Sequence, residues 1–321
     1  MTAIPDVSEK WTGKVNSVTI GATAEQGGTR TKTVTVGGGA TLPFLAFEGS
    51  TGTRQAIAVE VWDAGGQTWP DALQNAYGDA MSSPGAWAKK AVEFGAEMIC
   101  LRLMGAHPDF GDRSPRQCAD AVKEVLSAVG VPLIIWGCGV DEKNNQILPA
   151  VSAAAKGENC LIGTAREKNY RTAVAVCLAD KHKLIAESPL DINIAKQVNI
   201  LCTDAGFNLA DIVIFPTTGA LGYGMEYVYS IQERGRLAAL RGDKLLGQPV
   251  IADVGFEAWR AKEAKAPQFP SVTDQNRDQW GVMWESATAT VLLQSGVELL
   301  IMRHPAAIAN VKKVLNRFLP G

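Results

Sequence analysis

The sequence has few of the residues that metal sites and catalytic dyads use. It contains three histidines and six cysteines in 321 residues, and the closest two cysteines, Cys160 and Cys177, are 17 positions apart. The motifs C-x-x-C and H-E-x-x-H are absent, which excludes the local spacings of zinc and iron–sulfur sites. We interpret the cysteines as small buried thiols, and we expect no metal site on this chain.

A strong charge bias and long apolar runs are missing as well. The formal net charge is −2 and the pI is about 6.0, so no basic surface is expected for nucleic acid or an anionic membrane. No apolar run approaches the roughly 18 residues that cross a bilayer. The first residues, Met1-Thr2-Ala3-Ile4-Pro5-Asp6, lack the basic-then-apolar pattern of a signal peptide. These absences predict a cytoplasmic protein with no nucleic-acid partner and no membrane partner.

From residue 55 onward, short apolar runs alternate with helical patterns. Eight runs are interpreted as buried parallel strands: Ala56–Val61, Met98–Leu103, Val131–Trp136, Cys160–Gly163, Leu184–Glu187, Ile212–Phe215, Val250–Asp253 and Leu299–Met302. Eight strand–helix units predict an α/β fold, a TIM (β/α)8 barrel over residues 55–321. An open doubly wound sheet is disfavoured because it would carry G-x-G-x-x-G after its first strand, where the chain reads Trp62-Asp63-Ala64-Gly65-Gly66-Gln67.

Two segments depart from this alternation. Residues 1–54 are predicted to form an N-terminal β-hairpin extension, with strands in Asn16–Gly21 and Thr31–Gly37. The hairpin either closes the bottom of the barrel or offers an edge for docking. The segment from Val254 to Gln279 is long and polar and contains Pro267 and Pro270. It is either a functional element, such as a lid or a docking loop, or a tolerated insertion.

Ligands of TIM barrels bind at the carboxyl ends of the strands. Three acids, Asp63, Glu187 and Asp253, stand at predicted strand ends and could converge for acid–base chemistry. We favour the simpler interpretation that they are helix N-caps or partners in salt bridges. No catalytic residue is assigned.

The most informative stretch is a glycine-rich loop, Pro216-Thr217-Thr218-Gly219-Ala220-Leu221-Gly222-Tyr223-Gly224-Met225-Glu226. It lies between the predicted strand Ile212–Phe215 and a helix predicted from Tyr227 to Leu240. Glycines allow sharp turns and a close approach of the backbone to a ligand, and the two threonines offer hydroxyl groups. Because no acid, base or metal ligand precedes Glu226, the loop predicts binding rather than proton transfer.

This loop, with Glu226-Tyr227 and Glu233-Arg234 after it, resembles the small subunit of corrinoid iron–sulfur proteins. That subunit is also called the delta subunit of the acetyl-CoA decarbonylase/synthase complex. Further matching stretches are Pro189-Leu190-Asp191-Ile192-Asn193, Trp284-Glu285 with Thr288-Ala289, and Leu300-Ile301-Met302-Arg303-His304-Pro305. The resemblance covers the chain from about residue 55. It departs at Phe215, where the family often carries an acidic residue, and this removes a polar contact beside the loop.

The resemblance implies a TIM barrel that pairs with a larger subunit. The large subunit carries the iron–sulfur cluster and a corrinoid-binding domain, and the corrinoid (a cobamide) lies between that domain and the barrel. The pair receives a methyl group from methyltetrahydrofolate through a separate methyltransferase. It passes the group to acetyl-CoA synthase in the reductive acetyl-CoA pathway. The chain would then be a component of a methyl carrier rather than a stand-alone catalyst.

On this resemblance, six residues are predicted to contact the corrinoid: Thr217, Thr218, Gly219 and Leu221, with Met104 and Gly137 as further contacts. A bulky residue at position 218 is expected to loosen the corrinoid without unfolding the barrel. One alternative is that the loop only shapes the helix start or the subunit interface. Another is a pterin-binding methyltransferase barrel that binds methyltetrahydrofolate through Asp63, Glu187 and Asp253. A third is a structural partner that touches no cofactor.

A near match to a cobalt-ligand motif lies elsewhere in the chain. Asp180-Lys181-His182-Lys183-Leu184-Ile185 has the first two residues of D-x-H-x-x-G, the signature by which many corrinoid proteins ligate cobalt. Ile185 replaces the required glycine, and the segment lies at the opposite end of the predicted barrel. We interpret it as a solvated turn.

Overall fold

The computed structural model describes residues 8–266, 268, 271–273 and 276–318. That part of the chain forms ten strands: β1 Ser17–Ile20, β2 Val34–Gly37, β3 Ala56–Trp62, β4 Met98–Arg102, β5 Leu133–Trp136, β6 Leu161–Ala165, β7 Lys183–Glu187, β8 Ile212–Phe215, β9 Ile251–Ala252 and β10 Leu299–Met302. It also forms eleven α-helices: α1 Asp71–Tyr77, α2 Pro84–Glu93, α3 Pro115–Ala128, α4 Asp141–Ala154, α5 Tyr170–Asp180, α6 Ile192–Asp204, α7 Met225–Leu240, α8 Val254–Ala258, α9 Lys262–Lys265, α10 Arg277–Gln294 and α11 Pro305–Phe318. None of the helices in these ranges is long and apolar enough to span a membrane.

Strands β3 to β10 form one parallel sheet in the order β8-β7-β6-β5-β4-β3-β10-β9. The two ends of the sheet meet where Ile214 pairs with Val250 in a parallel bridge, and the Ile214 N–H donates to the Pro249 carbonyl at 2.8 Å. The sheet is therefore closed into a barrel, and each of its strands is followed by one or more helices. The predicted TIM barrel with an N-terminal hairpin is confirmed.

Strand side chains alternate between the barrel interior and the surrounding helices, because successive residues point to opposite faces of a sheet. In β3, Ala56 and Ala58 belong to the interior cluster, whereas Ile57, Val59 and Val61 pack in the outer layer with helix residues. Both faces of the sheet are buried, which is why the strands appear as near-continuous apolar runs. The alternation also determines which residues reach the barrel mouth.

The N-terminal hairpin closes the bottom of the barrel. Strands β1 and β2 pair antiparallel, and Val18, Ile20 and Val36 share the interior cluster with Met98 and Leu299, the first residues of β4 and β10. Since these barrel residues lie at the amino ends of their strands, the first of the two predicted roles of the hairpin is confirmed. The predicted domain boundary at residue 54 stays a prediction.

A buried ion pair fixes the extension to the barrel and gives a first test. Glu158 Oε2 accepts from Arg30 Nε at 2.7 Å, and both Thr29 N–H and Thr29 Oγ1 donate to the same carboxylate. We expect Glu158→Gln to lower the free energy of unfolding by about 2 kcal/mol, because a charged hydrogen-bond partner is lost. Urea denaturation checks this. Glu25→Gln, an exposed change in the same extension, is the matched control, and an equal loss in both variants would contradict the assignment.

Two local expectations need correction. The segment after β9 is not one long loop, since it contains α8 and α9, and α10 already begins at Arg277; Pro267 and Pro270 lie outside the described residues. The proposed solvated turn at residues 180–185 is wrong for His182, which is buried. Its Nδ1 accepts from the Cys160 N–H at 3.1 Å, and its Nε2 lies 3.1 Å from the Ser152 carbonyl. The imidazole therefore has a structural role between α4 and β6.

Candidate functional site

A layer of charged side chains fills the carboxyl end of the barrel interior. Glu60 in β3 and Arg102 in β4 each stand two residues beyond an interior residue of the same strand. The same spacing holds for Asp253 after β9 and for Arg303 after β10. A period of two places all four side chains on the interior face, and all four are buried. These four residues are called the mouth layer.

Glu60 links the two arginines of the mouth layer. Its Oε1 accepts from Arg102 Nε at 2.5 Å and from Trp62 Nε1 at 2.7 Å, and its Oε2 accepts from Arg303 Nε at 2.7 Å. Burial alone would raise the pKa of Glu60, but the Arg102 and Arg303 guanidiniums outweigh it and bring that pKa down to about 2. Glu60 is therefore an ionised carboxylate, and both of its oxygens accept hydrogen bonds from side chains inside the protein.

Asp253 connects the mouth layer to the glycine-rich loop. Its Oδ2 accepts from Arg102 Nη2 at 2.5 Å, and its N–H donates to Thr218 Oγ1 at 2.8 Å. Strands β4 and β8 are separated by three strands in either direction around the barrel. The path from Thr218 through Asp253 to Arg102 therefore crosses the whole mouth.

Aromatic rings cover the two guanidiniums. The Arg102 Cζ lies 4.9 Å from the centre of the Trp136 ring, and the Arg303 Cζ lies 4.1 Å from the centre of the Trp69 ring. The centre of the Phe256 ring lies 4.8 Å from the Arg102 Cζ and 5.1 Å from the Arg303 Cζ. Planar, weakly hydrated guanidinium groups favour such faces. The mouth layer is therefore a buried cluster of charges covered in part by aromatic rings, and it forms a platform rather than an open acid–base site.

Asp253 gives the platform a pH dependence. Burial raises the pKa of Asp253 to about 7, against the opposing effect of Arg102, and the Glu60 charge adds to the rise. The unfolded chain releases this proton near pH 4, so the folded chain holds one more proton between about pH 4 and 7. The free energy of unfolding falls with rising pH in that window, by about 1.4 kcal/mol per unit for this group.

We expect Asp253→Asn to show a flatter dependence of melting temperature on pH than the wild type between pH 5 and 7.5. The side chain of asparagine does not titrate, so the wild type loses its advantage over the variant as pH rises. Calorimetry at both pH values checks this, with Asp109→Asn as the control because that carboxylate is 83% exposed. A wild type that gains stability over the variant as pH rises would contradict the assignment.

The two threonines of the loop both make internal hydrogen bonds. Thr217 adopts a φ of 69°, a strained value for a β-branched residue, and its Oγ1 donates to the Ser188 carbonyl at 2.7 Å. Thr218 is only 5% exposed and holds the backbone of Asp253. A bulky residue at 218 would displace that backbone, so the structure argues against the expectation that the barrel tolerates one there. Thr217, half-buried at the rim, is the better position for such a test.

Gly219 and Leu221 complete the loop. A Cβ on Gly219 would lie 3.0 Å from the Tyr223 carbonyl oxygen, so the close turn of the loop upon itself favours a glycine here. The Leu221 N–H donates to Thr288 Oγ1 at 3.3 Å, and its carbonyl accepts from Trp284 Nε1 at 3.1 Å. Helix α10 therefore holds the loop over the mouth, with the Leu221 side chain half-buried.

Met104 and Gly137 lie on the far side of the mouth from the loop. They follow β4 and β5, and both are buried. A Cβ on Gly137 would lie 2.3 Å from Asn144 Oδ1, so the packing of α4 already accounts for this glycine. The structure thus brings Thr217, Thr218, Gly219 and Leu221 together and places the other two predicted contacts opposite them.

The three acids at the strand ends are each paired with an arginine. Asp63 Oδ2 lies 3.6 Å from Arg113 Nη1, and Glu187 Oε1 lies 2.7 Å from Arg166 Nη2. Asp253 is paired with Arg102, as described above. The interpretation as salt-bridge partners is confirmed. In residues 8–266, 268, 271–273 and 276–318, no three His, Cys, Asp or Glu side chains are grouped to hold a metal ion.

Unpaired polar atoms are concentrated at this end of the barrel. Among the described residues, six buried side-chain atoms at the strand ends have no hydrogen-bond partner in the chain: Asp63 Oδ2, Arg166 Nε, Glu187 Oε2, Ser188 Oγ, Asp253 Oδ1 and Arg303 Nη2. Buried polar groups are normally paired, so such a concentration needs an explanation. A bound polar molecule is one.

Sequence reasoning missed two members of the mouth layer, Glu60 and Arg102. Both lie in predicted strands, and neither is assigned a role from the sequence alone. The signal was present, because each is a charged residue in an apolar run, on the same face as the small interior residues before it. A buried charge on an interior face requires a partner, and the matching positions in neighbouring strands supply it.

The sequence profile of the CO dehydrogenase/acetyl-CoA synthase delta subunit matches residues 17–308. The chain belongs to this delta-subunit family. It is 35% identical over 311 residues to the acetyl-CoA decarbonylase/synthase complex subunit delta 1 of Methanosarcina thermophila, covering 95% of this chain and 71% of that protein. It is 34% identical to the subunit delta of Methanothermobacter thermautotrophicus, covering 95% of this chain and 76% of that one.

Solved structures of dihydropteroate synthases share the barrel of this delta-subunit family member. The enzyme of Coxiella burnetii in complex with pteroic acid aligns with a TM-score of 0.56 at 12% identity, covering 94% of this chain and 99% of that chain. The Xanthomonas albilineans enzyme with 4-aminobenzoic acid aligns with a TM-score of 0.54 at 16% identity, covering 83% of this chain and 92% of that chain. At these identities the likeness shows the fold alone.

Proposed function

We propose that this chain is the small subunit of a two-subunit corrinoid iron–sulfur protein, and that its barrel mouth covers the corrinoid. The observation that carries the proposal is membership of the delta-subunit family along nearly the whole chain. The pair would carry a methyl group from methyltetrahydrofolate, delivered by a separate methyltransferase, to acetyl-CoA synthase. The corrinoid, when bound, supplies the cobalt that carries this group. We place this exchange in the cytoplasm, as the sequence predicts.

The cysteines support placing the iron–sulfur cluster on the large subunit. All six are free and buried, and burial raises the pKa of the Cys160 and Cys177 thiols above their usual range. A cluster needs accessible thiolates grouped at one place. The chain's own contribution is therefore proposed to be shape and polar contacts, with the cluster held by the partner.

The mouth fits a corrinoid in its chemistry. The cofactor is broad and flat, and its edge carries neutral amide groups that both donate and accept hydrogen bonds. The mouth atoms without a hydrogen-bond partner include donors on Arg166 and Arg303 and acceptors on Glu187 and Asp253. Leu221 and Phe256, which are both half-buried, offer apolar surface for the rest of the ligand. Thr217, Thr218, Gly219 and Leu221 are proposed to line one edge, with Met104 and Gly137 opposite.

The test is a visible absorption spectrum and a cobalt assay on this chain, on the large subunit, and on the two co-expressed. The expected result is a one-to-one complex that holds corrinoid, with little cobalt on either chain alone. Corrinoid bound equally well by the large subunit alone would reduce this chain to a structural partner. A colourless monomer that forms no complex and binds methyltetrahydrofolate would replace the proposal with a pterin-binding enzyme.

A further inference from the structure

A cavity of about 410 Å³ opens at the mouth between the ends of β6, β7 and β8. It is lined by Arg166, Glu187, Ser188 and Thr217, among others. Its size falls in the range of about 300–1,000 Å³ that is usual for small-molecule sites. Because Thr217 belongs both to this cavity and to the glycine-rich loop, the cavity is continuous with the proposed corrinoid surface.

The polar wall of the cavity is incompletely paired. Arg166 Nη2 lies 2.7 Å from Glu187 Oε1, and Arg166 Nη1 lies 3.5 Å from Asp141 Oδ1. These contacts leave Arg166 Nε, Glu187 Oε2 and Ser188 Oγ without a hydrogen-bond partner, and Ser188 is 1% exposed. A buried polar atom without a partner costs stability, on the order of 1–3 kcal/mol. Three such atoms beside one cavity point to a ligand group that pairs with them.

The atom types define that group. A guanidinium nitrogen only donates, a carboxylate oxygen only accepts, and a hydroxyl does both. A primary carboxamide matches all three, since its NH2 donates to Glu187 and its carbonyl accepts from Arg166 or Ser188. The charge of the wall agrees, because three acids (Asp141, Glu167 and Glu187) face two bases (Arg166 and Lys168). A ligand carboxylate would add a further negative charge to a wall that is already negative overall.

We propose that this cavity receives one carboxamide arm of the corrinoid and discriminates against the same arm as a carboxylate. The inference rests on the proposed function, because it assumes that the corrinoid lies over the mouth. The three atoms are covered by protein, so the arm reaches them after a side-chain rotation. Arg166 and Glu187 keep 35% and 14% of their side-chain exposure, which leaves them room to turn. Arg166, Glu187 and Ser188 would then set the orientation of the ring on the barrel.

The experiment measures corrinoid binding to the complex of this chain with its large subunit. The probes are cobinamide, which carries all its amides, and its monocarboxylate derivatives, each with one amide hydrolysed. In the wild type, one monocarboxylate should bind at least tenfold more weakly than cobinamide. Ser188→Ala should weaken cobinamide binding about fivefold, as expected for one lost hydrogen bond. Glu187→Gln should shrink the discrimination against that one monocarboxylate by about tenfold.

Glu167→Gln is the matched control, because it removes a negative charge from the same wall at an exposed position that is not paired with Arg166. It should leave the preference for amide over acid nearly unchanged. The ratio of two affinities in one variant is insensitive to partial unfolding, so a loss of stability in Glu187→Gln does not obscure the result. Equal binding of all derivatives, or an unchanged ratio in Glu187→Gln, overturns the amide site while the proposed function stands. Failure of the wild-type complex to bind any corrinoid overturns both.

Discussion

Glu60→Gln is expected to lower the free energy of unfolding by about 3–5 kcal/mol, the range for removing one partner from a buried charge cluster. Glu60 accepts from Arg102, Trp62 and Arg303, and it is 0% exposed. Glutamine has one acceptor oxygen in place of two, so its NH2 group must face a guanidinium or indole donor. Two buried arginines would then share the single carboxylate of Asp253, whose pKa is already raised toward neutrality.

Urea denaturation followed by circular dichroism measures this loss. The matched control is Glu93→Gln, which breaks the exposed pair of Lys90 and Glu93 and should change stability by less than about 0.5 kcal/mol. If Glu60→Gln loses less than about 1 kcal/mol with an unchanged denaturant slope, the mouth layer is not held by Glu60.

The mouth layer joins the glycine-rich loop to the opposite side of the barrel through hydrogen bonds. Exchanging a buried ion cluster for apolar residues of similar volume is often neutral or stabilising, so stability alone gives no reason to keep one. The layer does fix the positions of Asp253 and, through it, Thr218, at the base of the glycine-rich loop. If the mouth covers a corrinoid as proposed, these fixed positions would preorganise the surface that the cofactor contacts.

The barrel could be predicted from the sequence because its strands are buried on both faces, so each forms a short apolar run, and helical patterns lie between these runs. All eight predicted strands are present, with ends displaced by no more than two residues. The hairpin was equally visible, from alternating β-formers around a glycine-rich turn. The sequence did not show where the hairpin packs. Only the burial of Val18, Ile20 and Val36 together with the barrel interior shows that the hairpin closes the bottom of the barrel.

The site was less predictable because its parts belong to strands far apart in the chain. The glycine-rich loop was found as a continuous motif. The pairing of Glu60 with Arg303 joins residues 243 positions apart, and no local pattern contains it. Glycine was also an ambiguous signal, since close packing within the chain itself leaves little room for a side chain at Gly137 and Gly219. Composition and spacing show which residues can bind a ligand, whereas closure of the barrel decides which of them meet.

Thr217→Trp is expected to reduce the corrinoid retained by the two-subunit complex at least tenfold while the barrel stays folded, if the corrinoid lies over the mouth as proposed. Thr217 is half-buried at the rim and lines the cavity beside Ser188. Its one hydrogen bond, to the Ser188 carbonyl, is worth about 1 kcal/mol. Tryptophan is not branched at Cβ, so it is no more strained than threonine at a φ of 69°.

The measurement is cobalt per complex, read with the visible spectrum, the melting temperature and the mass of the complex in solution. Thr217→Ser is the matched control, because it keeps the hydroxyl group and adds no bulk, and it should retain the full cobalt content. A Thr217→Trp complex that stays assembled and holds the full amount of corrinoid would show that the cofactor does not lie over this rim. Loss of cobalt with the subunits still associated locates the cofactor beside Thr217, since the indole then displaces the ligand rather than the partner.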